Sequence, residues 1–362
     1  MGTKPTKILV MCLAGAGDVL MATPMIRELR NAYPAARLDV LVMQGAVARD
    51  ILAGNPCVNE AMLFNFMAAS KLQSLKFCLK LRRRRYDLLI APMPQNRLEY
   101  NLIAWLTGAS ERVGFEYAVK SWTGRRLLLT RWTHEKEDRH VVENDLRLLS
   151  EVLGLPLSEG RRRLELFIGD EHARFAREFL AERNLTGQFI LGFHPGSGTT
   201  KNLALRRWAP EKWATLARMC IDRFPGAGIL LFGADAERSL REEIISASGL
   251  SGNSLMTAEA PGILESAALI RGMRCFVCCD TLLTHIAAAV GTPTVEILGP
   301  TDPRSIYPYG VKSRIVRAGL ECSPCYRYSR QGIRCTNPVF LKCLKDVTPE
   351  MVLAALTDIM AT

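Results

Sequence analysis

The chain has 362 residues, 48% of them hydrophobic and 23% charged, with a formal net charge of +11. That is too long for one ordinary core and too apolar for a disordered chain, so two globular domains are expected. No apolar run reaches the roughly 18 to 20 residues that cross a bilayer, and eleven scattered cysteines point to a reducing compartment, the cytoplasm.

The first apolar run, KILVMCL (7–13), is too short for an export signal and is soon interrupted by Asp18, so it reads as a buried strand. A helix is expected over 18–32, with Pro24 in its first turns, then a strand at LDVLVM (38–43). Residues 61–86 hold no acid, and KLQSLKFCLKLRRRR (71–85) carries seven Lys and Arg with Leu72, Leu75, Cys78 and Leu79 at helical spacing. This predicts an amphipathic basic helix, either a solvated face or a surface for anionic headgroups and phosphorylated acceptors. It accounts for most of the charge excess of residues 1–168, which hold 25 Lys and Arg against 17 Asp and Glu. Nucleic acid is disfavoured, because no aromatic interleaving accompanies the basic run.

A strand at YDLLIAP (86–92) follows, and one unit hands over to another near EGRRRLELFIGDEHARFAREFL. The rhythm then restarts: strand 189–196, helix 210–223, strand 228–233, helix 235–247, strand 274–279, helix 282–290 and strand 293–299. Pro349 behind Thr348 opens a last helix. Short apolar strands alternating with helices mean parallel sheets covered on both faces. The expected organisation is a first Rossmann-like domain over 1–170 and a second over 171–347. The last helix, 348–362, is a candidate to pack back on the first domain.

The polar residues gather where such strands end. Gly15, Gly17 and Asp18 follow the first strand, and His194, Gly196, Ser197, Gly198 and Thr199 follow the strand at 189. Gly233, Asp235 and Glu237 follow the strand at 228; Asp280, Thr281, Thr284 and His285 follow the strand at 274; Thr301 and Asp302 follow the strand at 293. Carboxyl ends of parallel strands are where open α/β sheets bind ligands. A dinucleotide site fails, because the first turn lacks a third glycine and the second strand is followed by Gln44 rather than an acid. What remains is Asp18 at a helix N-terminus, whose dipole favours the ionised form, either as a cap or as a base. HPGSGTTKN offers backbone N–H groups and hydroxyls with Lys201, Arg206 and Arg207 close behind, a set suited to a diphosphate. Trp208 and Trp213 read as core. Cys322, Cys325, Cys335 and Cys343 have a spacing compatible with a structural zinc, although free thiols packed under a loop are favoured.

Three stretches, GAGDVLMATPMIRELRNAYPAARLDVLV, HPGSG with its following KN and RRWAPEKWATLA, and CDTLLTHIAAAVGTPTVEILGPTDP, resemble glycosyltransferase family 9, the lipopolysaccharide heptosyltransferases. The resemblance runs from about residue 7 to 355. It implies a GT-B fold, two doubly wound Rossmann-like domains facing across a cleft, and an inverting heptose transfer from ADP-heptose to the inner core of lipopolysaccharide without a bound metal or other cofactor. It places Asp18 as catalytic base beside Gly17, and Gly196, Ser197, Gly198, Thr199, Lys201, Arg206, Glu237, Asp280, Thr281, Leu282 and His285 around the donor. Arg82, Arg83, Arg84 and Arg85 become candidates for the acceptor and for an anionic inner-membrane surface, with the enzyme on its cytoplasmic face. Two departures stand out. Arg206 occupies the place where the family commonly has a phosphate-binding lysine, and Leu282 replaces a usual glycine. The alternatives are another nucleotide-sugar donor, a hexosamine 2-epimerase-like enzyme, or a non-catalytic nucleotide-sugar-binding protein.

Overall fold

The computed structural model describes residues 4–43, 45–117, 126, 128–158, 162–198, 200–326 and 332–361, with the backbone alone at 200 and 201. Gln44 lies outside the described residues. The chain divides into two compact units, Met1–Phe167 and Ile168–Thr362, close to the boundary expected at 170.

The first unit contains β1 (Lys7–Cys12), β2 (Arg37–Val42), β3 (Glu60–Leu63), β4 (Leu88–Ile90), β5 (Glu111–Glu116) and β6 (Arg131–His134). They form one parallel sheet in the order β3-β2-β1-β4-β5-β6. The second contains β7 (Ile190–His194), β8 (Gly228–Leu231), β9 (Leu255–Thr257), β10 (Cys275–Cys279), β11 (Thr294–Ile297) and β12 (Ser313–Val316). Its parallel order is β12-β11-β10-β7-β8-β9. Counted from each unit's own first strand, the two orders are the same. Each unit is a doubly wound Rossmann-like domain, as the GT-B expectation requires, and the order reverses between β1 and β4 and between β7 and β10.

The central strands carry the apolar runs. Ile8, Leu9, Val10 and Met11 in β1 and every residue of β10 are fully buried, as strands with helices on both faces must be. Where one helix was expected over 18–32 there are two, Ala16–Met21 and Thr23–Ala32. Pro24 sits in the first turn of the second, and its missing N–H removes the bond that would have carried the first helix onward. The helix expected over 235–247 likewise opens as a 3-10 turn, Asp235–Glu237, before Arg238–Ser248.

The basic helix spans Lys71–Arg82 and ends earlier than expected. Its inner side is Phe77, Cys78 and Leu81; Phe77 stacks on Phe64 with centroids 4.1 Å apart. Leu72, Leu75 and Leu79 face outward, 61%, 42% and 45% exposed, so the helix is not divided cleanly into an apolar and a charged side. The terminal helix, Pro349–Ala361, belongs to the second unit: Val352, Leu356 and Ile359 are buried in that unit's core, and the helix packs on Pro210–Arg223 and β12. These contacts, rather than a return to the first domain, account for its apolar face.

Candidate active site

In the second unit the polar residues converge at the switch point between β7 and β10. β7 ends at His194, whose Nδ1 lies 3.0 Å from the Thr281 hydroxyl and whose Nε2 lies 3.4 Å from Glu237 Oε2. Arg207 closes the same group, donating to Ser197 O at 2.8 Å and to Glu237 Oε1 at 3.1 Å. Burial pushes the Glu237 carboxyl up, but its bond to His194, the His194 charge, the Ala234 N–H and Arg207 together outweigh that and hold it below the usual range. Gly196 is required here, since a Cβ would stand 2.0 Å from Glu237 Oε1. Glu237 is therefore a buried strut joining three loops, as well as a candidate donor contact.

The helix Leu282–Val290 opens just beyond β10, so the N–H groups of its first turn have no carbonyl partner within the helix. Beside that opening Arg206 Nη1 donates to Asp280 Oδ2 at 2.7 Å, and Thr301 Oγ1 donates to the same oxygen at 2.7 Å. Arg206 Nε is buried with no hydrogen-bond partner. Burial pushes the His285 imidazole down to about 4, the Arg206 charge adding to this and Asp280 opposing it, so near pH 7 His285 is neutral and acts through its N–H. Its Nδ1 is likewise buried and unpartnered. The guanidinium with its unpartnered Nε and the helix opening are together suited to an anion.

Of the expected donor residues, Gly196, Ser197, Arg206, Glu237, Asp280, Thr281, Leu282 and His285 fall at this switch point or on the elements that frame it. Gly198 is exposed. Thr199 and the side chain of Lys201 lie outside what is described. Thr284 is structural: its hydroxyl donates to Cys279 O at 2.9 Å. Asp302 is committed to Arg304 at 2.7 Å.

In the first unit Asp18 stands in the turn after β1, at the first switch point. Its Oδ2 accepts the Gly15 N–H at 2.8 Å, and a Cβ on Gly15 would come within 3.2 Å of that oxygen. Gly17 occupies the same helix start. Beneath it sits Asp145, whose Oδ1 accepts the Met93 N–H at 2.7 Å and whose Oδ2 is buried without a partner. Burial pushes Asp145 well above the carboxylate range; the Met93 N–H opposes this and the Asp18 charge adds to it. Cys12 is raised for the same reasons, burial first and then Asp145 and Asp18, so it is a thiol.

Asp145 gave no motif to find. Glu296 did leave a signal, as the one acid in the apolar run 293–299; both its oxygens are buried and unpartnered, and burial, then the Asp280 charge, raises it well above the usual range.

Among Arg82, Arg83, Arg84 and Arg85, Arg84 is not available to an acceptor. It binds Glu60 through both terminal nitrogens, at 2.7 and 3.0 Å, and stands 3.4 Å from the buried Asp39. Arg82, Arg83 and Arg85 are exposed. Cys322, Cys325, Cys335 and Cys343 line one pocket, yet among the described residues no group of three or more His, Cys, Asp or Glu is arranged to hold a metal.

The family model described as glycosyltransferase family 9 (heptosyltransferase) matches residues 74–332. The chain belongs to glycosyltransferase family 9. As a family 9 member it is a glycosyl-transfer enzyme. It is 28% identical to lipooligosaccharide heptosyltransferase 2 of Haemophilus influenzae over 367 residues, covering 98% of this chain and 99% of that one. It is 26% identical to lipopolysaccharide heptosyltransferase 2 of Escherichia coli over 363 residues, covering 98% of both. The solved structure of the E. coli ADP-heptose lipopolysaccharide heptosyltransferase II superposes with a TM-score of 0.70 at 24% identity, covering 98% of each chain. This family 9 member thus has relatives of the same length and the same fold, and among the described residues no helix is long and apolar enough to cross a membrane.

Proposed function

We propose that this family 9 enzyme transfers heptose from ADP-heptose to the inner core of lipopolysaccharide, with inversion. The relatives named above act as heptosyltransferases, and a similar E. coli heptosyltransferase has been solved with ADP-2-deoxy-2-fluoro heptose (TM-score 0.70, 19% identity). The observation that carries the donor assignment is Arg206, held 2.7 Å from Asp280 beside the opening of the helix Leu282–Val290, with its Nε unsatisfied. A departing nucleoside diphosphate develops negative charge on its bridging oxygen. A fixed guanidinium and oriented N–H groups meet that charge without reorganising, which is what a metal would otherwise supply. His285, neutral near pH 7, adds a hydrogen bond rather than a charge. Asp18 takes the proton from the acceptor hydroxyl, and burial pushes the nearby Asp145 carboxyl well above the usual range, which disfavours a second negative charge there. The acceptor is a phosphorylated lipid on an anionic cytoplasmic membrane face, which the exposed cations of Lys71–Arg82 and the turn after it suit.

Calorimetry with ADP tests the donor site. Arg206→Gln and Lys201→Gln should each weaken binding by about 1.5 to 3 kcal/mol, the worth of a charged hydrogen bond. Because Arg206 also pairs with the buried Asp280, melting curves accompany the titrations to confirm that the variant is folded. Unchanged ADP affinity in both variants and in the double variant would remove the phosphate role.

A further inference from the structure

We propose that Tyr326 is a positioning residue of the donor site, and that the cysteine-bearing strap leading to it forms one wall of that site. The inference rests on the reading of Arg206 as a diphosphate ligand. Arg206 is held on two sides. One terminal nitrogen donates to Asp280 Oδ2 at 2.7 Å, and the guanidinium carbon lies over the Tyr326 ring, 4.7 Å from its centroid.

The strap is tied down where it matters. The N–H groups of Cys325 and Tyr326 both donate to Pro300 O at 2.9 Å, Tyr326 pairs with Thr301 in an isolated parallel bridge, and Ser323 Oγ donates to Gly299 O at 2.5 Å. Arg317 Nη2 holds the other side of the turn through Ser323 O at 2.7 Å. Thr301 is in turn the residue whose hydroxyl reaches Asp280 Oδ2 at 2.7 Å. The loop after β11 therefore presents Thr301 to the carboxylate and, through its pairing with the strap, Tyr326 to the cation bound by that carboxylate. Asp280, Arg206, Thr301 and Tyr326 are thus linked to one another.

A free arginine has many rotamers, and ordering it on ligand binding reduces affinity. An arginine held by a carboxylate and by an aromatic ring has fewer orientations to lose when the ligand arrives. A ring contact also takes up none of the arginine's N–H groups, which a second ion pair would. A lysine ammonium would also be drawn to such a ring, but it has no planar fork of N–H groups to be oriented by it.

The test is a double-mutant cycle on ADP affinity, read by calorimetry, with Tyr326→Phe, Tyr326→Leu and Tyr326→Ala in the natural background and in Arg206→Gln. Tyr326→Phe should keep the natural affinity. Tyr326→Leu, of similar bulk but without a π face, and Tyr326→Ala should each weaken ADP by about 3- to 30-fold, the span of a partly desolvated cation–π contact. In the Arg206→Gln background none of the three should cost more. If Arg206→Gln weakens ADP while Tyr326→Leu does not, or if the loss from Tyr326→Leu persists undiminished in Arg206→Gln, the positioning role is refuted and the donor site stands. If Arg206→Gln itself leaves ADP affinity untouched, the donor-site reading fails instead.

Discussion

Asp18, Arg206, Asp280 and His285 were singled out in the sequence because each lies in or just beyond the polar stretch that follows an apolar strand. The partners that fix them were not. Asp145, Thr301 and Tyr326 reach their places through contacts 52, 21 and up to 120 residues away in sequence, and spacing alone does not encode such pairings. Thr301 was noticed for its turn, but its bond to Asp280 Oδ2 depends on β10 and β11 lying side by side. His285 has a consequence of its own for stability. Its folded value of about 4 lies below the ordinary histidine value, so between those two pH values the unfolded chain binds a proton that the folded chain does not. The stability tied to keeping His285 neutral is fully present above about pH 6.5 and is lost as pH falls toward 4. Urea unfolding of the natural protein and His285→Gln at several pH values should show their stabilities converging by up to about 3 kcal/mol toward acid. Parallel curves across that range would mean that the imidazole is not desolvated.

At the scale of elements, the central strands were readable and the edge strands were not. β1, β8 and β10 are short continuous apolar runs and β7 and β11 are buried too, because helices cover both their faces. β3, β5, β6, β9 and β12 lie toward or at the sheet margins, where half the residues meet solvent, and EAML, ERVGFE, RWTH, LMT and SRIV carry no such run. The basic helix was placed correctly, but its faces were not. Phe77, Cys78 and Leu81 anchor it, and Leu72, Leu75 and Leu79 form an outward ridge beside Lys71, Lys76 and Lys80. Apolar residues exposed among cations suit an interfacial surface better than a solvated one. Each cation near an anionic surface contributes about 1 kcal/mol, screened over roughly 8 Å at physiological salt. Replacing Lys76, Lys80, Arg82, Arg83 and Arg85 with Gln should therefore raise KM for the lipid acceptor and weaken binding to anionic vesicles, with the donor KM unchanged. Arg84 is kept, since it is already paired with Glu60 and stands beside the buried Asp39. Vesicle binding and acceptor kinetics equal to those of the natural protein at low salt would reduce the ridge to an ordinary surface.

On the scale of the whole molecule, the same strand order occurs twice, and each copy places its polar residues at its own switch point. The first copy holds a carboxylate, Asp18, near a buried acid, Asp145, that burial pushes well above the carboxylate range; the second holds a guanidinium, a neutral imidazole and a helix opening. One is suited to removing a proton and the other to receiving a leaving anion, and a group transfer needs both. That division of labour is the central claim, and Asp18→Asn separates its halves. With ADP-heptose and a lipid A inner-core acceptor, ADP release by the natural protein and by Asp18→Asn is followed alongside calorimetric binding of ADP. The account predicts ADP release by the natural protein that depends on the acceptor, a fall in turnover of about 10² to 10⁴ in the variant, the usual worth of a general base, and unchanged ADP affinity. Near-natural turnover in Asp18→Asn, or no acceptor-dependent release by the natural protein, would contradict it.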